Sequence, residues 1–111
     1  MENIIYICEE KNRLDFCETY SPIVCGNTNY YLVFNFSSEW EQITHKTAVL
    51  VVGDRVKQLQ FDGRICQLPA MPNAPFAMIY LHAKKDELMF STTGLKIRLE
   101  PTKVAEYIKF Q

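Results

Sequence analysis

Turn-forming residues punctuate this chain roughly every 8–12 positions, and many of the apolar segments between them alternate with a period of two. The clearest segment is "NYYLVFNF" at 29–36, where Tyr30, Leu32, Phe34 and Phe36 form one apolar file. Its other file, Tyr31, Val33 and Asn35, is mixed, so one face belongs to a core and the other is partly exposed. "KTAVLVV" (46–52) and "FAMIYLHA" (76–83) are apolar on both faces and read as central strands. "RVKQLQF" (55–61) is half-solvated, and in "TGLKIRLE" (93–100) Leu95, Ile97 and Leu99 alternate with Lys96, Arg98 and Glu100. Shorter segments are "IIYIC" (4–8), one opened by "LDF" (14–16), "PIVC" (22–25), "RICQL" (64–68) and "LMFS" after a charged turn at 84–87. Gly26-Asn27 suits a tight turn with positive φ, and Asp62-Gly63 is the strongest hairpin signal in the chain. The expectation is an all-β antiparallel sandwich or barrel of about 7–9 short strands.

One stretch breaks the alternation. "SSEWEQIT" (37–44) cannot continue the preceding strand in register. Ser37 or Ser38 suits the N-cap of one short helical turn, with Glu39 and Glu41 near its positive end. Trp40 and Ile43, three residues apart, then point the same way and close one end of the core. The expected core comprises Tyr30, Leu32, Phe34, Phe36 and Trp40, then Val49, Val51, Leu59, Ile79 and Leu81, and finally Leu95, Ile97 and Leu99. "PAMPNAP" (69–75) is a loop, because proline removes ladder donors. The tail "TKVAEYIKFQ" reads equally as an extra strand or a short helix.

The 111 residues suit a single domain spanning 1–111 with one core. Net charge is −1, with both signs scattered, so no basic face is available for nucleic acid or anionic lipid. No apolar run approaches the roughly 20 residues of a membrane span. "MENIIYICEE" lacks the features of a signal peptide, which makes synthesis in a cytoplasm the default. In that reducing setting Cys8, Cys17, Cys25 and Cys66 read as small buried apolar residues.

Candidate chemistry is sparse. There is no Gly-rich phosphate loop, no nucleophile elbow and no Cys/His spacing of a metal site. His82 lies in a central strand and reads as a hydrogen-bonded sheet residue, while His45 starts a strand in solvent. Asp54 and Asp62 are turn residues. The expectation is a protein that is not an enzyme and uses no cofactor and no metal. Binding is favoured by the tail, where Tyr107, Ile108 and Phe110 are candidate partner contacts, and by sheet edges that must be protected or paired.

From Gly26-Asn27 through "F-S-S-E-W" (36–40), "K-T-A-V" (46–49), Gly53-Asp54, "D-G-R-I-C-Q-L-P" (62–69), "I-Y-L-H-A" (79–83) and "G-L-K-I" (94–97), the chain resembles a known module. It is the immunoglobulin-like module at the start of baseplate and tail-fibre-associated proteins in phages and prophages of Gram-positive bacteria. The resemblance covers about residues 20–101. It implies an immunoglobulin-like sandwich with Trp40 as a structural hallmark, no catalytic residue, and protein partners.

The function expected is therefore a non-enzymatic protein-binding module of a phage particle: a baseplate, tail or capsid accessory subunit, made in the host cytoplasm and carried in the virion. Its partners would be other virion subunits or a second copy, with no nucleic acid and no membrane. A phage-encoded inhibitor of a host defence protein is the alternative. A carbohydrate-binding module using Tyr30, Tyr31, Tyr80 or Tyr107 is another.

Overall fold

The computed structural model describes residues 3–107. It realises the period-two pattern as two sheets whose inward residues meet in one core. In chain order the elements are β1 (Asn3–Glu10), β2 (Arg13–Phe16), β3 (Ile23–Val24), β4 (Tyr30–Asn35), the helical turn α1 (Ser38–Glu41), β5 (Lys46–Val52), β6 (Arg55–Leu59), β7 (Ile65–Gln67), β8 (Phe76–Lys85), β9 (Leu88–Ser91) and β10 (Leu95–Glu100). A 3-10 turn, Val104–Tyr107, follows. Ten strands among the described residues slightly exceed the expected 7–9; the shortest, β3 and β7, have two and three residues.

Sheet 1 has the order β2-β1-β4-β7, and sheet 2 the order β3-β10-β8-β5-β6 with β9 also on β8. Both sheets are mixed, not purely antiparallel as expected. β1 pairs parallel with β4, and β10 parallel with β3. The reason is connectivity: parallel neighbours need a crossover. After the β1–β2 hairpin the chain leaves sheet 1, adds β3 to the edge of sheet 2 and returns as β4. The long strand β8 organises sheet 2, with β5 along one edge and β10 and β9 sharing the other. Thr92 spans the break between those two: its N–H donates to the Leu81 carbonyl, and its hydroxyl accepts the Leu81 N–H at 2.9 Å.

Inward files fill the interior. Ile5 and Ile7 from β1, Leu32 and Phe34 from β4, and Ile79 and Leu81 from β8 are all buried. On β5 the buried residues are Ala48, Leu50 and Val52. Val49 and Val51, expected in the core, are half-buried on the outer face. A strand apolar on both sides carries no alternation to orient it; its pairing with β8, Leu50 opposite Ile79, decides which file points inward. Phe36 is also only partly buried, packed on Phe34 and Phe61 at the core's margin.

The expectation for Trp40 holds. It is fully buried on α1, with Ile43 buried beside it and Phe90 edge-on at 6.1 Å. Ser37 is the N-cap residue, but its side chain makes no cap bond. Of the two readings of the tail, its described part takes the short helical turn and not the extra strand. Thr102 donates its hydroxyl to the Cys25 carbonyl at 2.8 Å and is bracketed by two hydrogen bonds with Asn73. Ala105 is buried close to Gly26, whose φ of 90° suits a residue without a side chain.

A candidate protein-binding face on the four-stranded sheet

The inward file of β1 commits its alternate residues, Ile4, Tyr6 and Cys8, to the outside of sheet 1. The parallel register sets Ile4 beside Tyr31, Tyr6 beside Val33 and Cys8 beside Asn35. On the far side Val33 pairs with Ile65, and Tyr31 with Gln67. Ile4, Tyr6 and Ile65 are exposed, and Tyr31 and Val33 are partly so. Five apolar or aromatic side chains thus adjoin across three strands. This is a gap in the sequence reading, which offered only Tyr31 among them as a binding residue. The signal was present: "IIYIC" is apolar on both faces, as are Tyr31 and Val33 behind the Tyr30–Phe36 file.

One end of the face is closed by a disulfide, Cys8–Cys17, with Cα atoms 5.5 Å apart. This corrects the reading of all four cysteines as isolated buried residues. The β1–β2 hairpin pairs Cys8 with Asp15, and the Cys17 N–H donates to the Tyr6 carbonyl, so both cysteines share the outward face. Lys11 and Asn12, both with positive φ, make the tight turn that aligns them. Asn35 donates to Cys17 Sγ at 3.4 Å and accepts from Arg64 at 3.2 Å.

Cys25 and Cys66 do stay as buried free thiols. Burial pushes the Cys66 thiol up to about 12 and raises that of Cys25 as well, which keeps both protonated and poorly nucleophilic. His45 is exposed, and His82 Nδ1 lies 3.3 Å from the Ser91 hydroxyl. Among the described residues no three His, Cys, Asp or Glu side chains form a metal-binding group.

Glu9 is the one buried carboxylate among the described residues, and it serves the fold. It accepts the Ser37 N–H at 2.9 Å, the Ser37 hydroxyl at 2.6 Å and the Asn12 N–H at 3.0 Å. Elsewhere Phe16 and Tyr20 stack at 4.1 Å beside a cleft of about 460 Å³ that Arg98 also lines.

The tyrosines suggested for sugar binding are not brought together. Tyr30 is buried and its hydroxyl accepts the Val24 N–H, Tyr31 faces out from sheet 1, and Tyr80 faces out from sheet 2. Tyr107 is 85% exposed on the last turn. Ile108 and Phe110, the other two expected contacts, lie outside the described residues.

No described helix is long and apolar enough to cross a membrane. Compared with family models, curated proteins and solved structures, the chain matches none.

Proposed function

We propose that this chain is a non-enzymatic protein-binding module with an immunoglobulin-like sandwich, serving as a baseplate, tail or capsid accessory component of a phage particle. The observation that carries the binding reading is the outward apolar face of Ile4, Tyr6, Tyr31, Val33 and Ile65, which single scattered exposed residues would not make. The phage assignment rests on the resemblance. In this fold its motif residues are Phe36 to Trp40 at the β4–α1 junction, Gly53-Asp54 in the β5–β6 turn, and Asp62 to Pro69 around β7.

The Cys8–Cys17 bridge favours a particle over an inhibitor acting free in the host. Disulfides persist in oxidising surroundings, which a released particle meets and a cytoplasmic inhibitor does not. Mass spectrometry of purified particles from the strain carrying this gene is the test. The chain should be present in stoichiometric amount; its absence overturns the assignment.

A further inference from the structure

We propose that the outward face of sheet 1 docks a second copy of this chain about a two-fold axis, with Tyr6, Tyr31, Val33 and Ile65 at the centre. The proposal rests on the protein-binding reading and names the partner.

Charge selects the occupant. A two-fold contact sets one patch against itself, so a patch of single sign repels its own copy. Around the apolar centre of sheet 1 the outward charges are Glu10 and Asp15 on one side of the balance, and Arg13 and Arg64 on the other. They cancel. The outward face of sheet 2 is also partly apolar, through Val49, Val51, Met78 and Tyr80. Yet its strands carry Lys84, Lys96 and Arg98 outward against Glu100 alone. Lys96 sits over the Phe76 ring and Arg98 over the Tyr20 ring, and neither has a carboxylate partner among the described residues. That face is cationic and disfavours self-docking.

The edges leave the face as the available route. β3 and β7 are too short to template another strand, β9 has only four residues, and β2 has four tied down by the disulfide. β6 is the longest edge, but Lys57 pairs with Leu50 and so points to the inner side of the sheet. An inward charge on an edge strand blocks extension of the sheet. Strands of 8, 4, 6 and 3 residues, about 4.8 Å apart, present a face of at most roughly 20 by 20 Å. Two such faces bury less than a stable dimer needs, so the contact is a weak, transient one that forms and dissociates with concentration in the micromolar range.

Sedimentation of the full oxidised chain from about 1 to about 500 µM tests this. The expected result is a monomer–dimer equilibrium that Ile65→Lys weakens at least about tenfold. Val56→Lys, at an exposed position on β6, should leave it unchanged. Val33→Lys is the second disrupting variant, and circular dichroism verifies that each variant is folded. A monomer throughout the range, a dimer indifferent to both sheet 1 variants, or equal weakening by Val56→Lys overturns the proposal. A strictly monomeric chain found in particles sinks the dimer alone, whereas a dimer absent from particles sinks the phage assignment alone.

Discussion

The Trp40 indole N–H donates to the side-chain oxygen of Asn12 at 2.7 Å, joining the helical turn to the β1–β2 turn. Asn12 holds three elements at once. Its N–H reaches Glu9, its side chain receives Trp40, and its carbonyl accepts the Thr93 N–H from the β9–β10 connection of sheet 2 at 3.0 Å. Both sheets and the plug between them therefore meet at one residue.

Replacing Trp40 with Ala should cost about 3–5 kcal/mol, since a fully buried indole leaves a cavity at the junction of the sheets. Urea unfolding measures it. A loss below about 1 kcal/mol would mean the indole contributes little to the core.

Asn12 separates hydrogen bonding from backbone conformation. Its φ is 65°, a left-handed value that alanine disfavours by about 1–2 kcal/mol and glycine tolerates. Asn12→Gly should lose only the indole partner, whereas Asn12→Ala should be less stable than Asn12→Gly by about 1 kcal/mol. Equal stabilities of the two variants would contradict this geometry.

The Glu9 carboxylate accepts three hydrogen bonds, from the Ser37 N–H, the Ser37 hydroxyl and the Asn12 N–H. Glu9→Ala should destabilise by about 2 kcal/mol, because part-buried donors of Ser37 and Asn12 lose their charged acceptor. Ser37→Ala removes only the hydroxyl bond and should cost about 1 kcal/mol. The ranking is read from chemical denaturation midpoints.

The bridge between Cys8 and Cys17 spans nine positions, and its removal should lower stability by about 2–3 kcal/mol in the chain-entropy account. Thermal melts with and without reductant, and a Cys8→Ser/Cys17→Ser double variant, should agree. A thiol reagent should detect no free thiol in the folded oxidised chain and two after unfolding, since Cys25 and Cys66 are buried.

Cys66 adds a pH dependence in the alkaline range. Its thiol is raised from 9.0 to about 12 in the fold, so above about pH 9 the unfolded chain releases a proton that the folded chain retains. The contribution is fully present below pH 9 and is lost as pH rises toward about 12, at up to about 1.4 kcal/mol per pH unit. Cys66→Ala should have a shallower alkaline decline than the parent; identical slopes would refute the assignment.

Much of the architecture was legible in residue order because local chemistry dictates it. Alternation located β4 and β10, the Asp62-Gly63 and Gly53-Asp54 pairs located turns, and the clash of "SSEWEQIT" with the strand period located the helical turn and its buried indole. The candidate face was less legible. Ile4, Tyr6 and Ile65 are unremarkable one by one, and they become a patch only when β1 lies parallel to β4 with β7 beyond. Cys8 and Cys17 were visible around a turn, but their pairing needed the hairpin register that puts both on one side.

Sequence by itself determined strands, turns and the indole plug, since each depends on neighbours within a few residues. Tertiary structure decided the two parallel pairings, the inward file of β5 and the surface of sheet 1. Those depend on contacts between segments distant in the chain, where a strand apolar on both sides fits either way until its neighbour is in place.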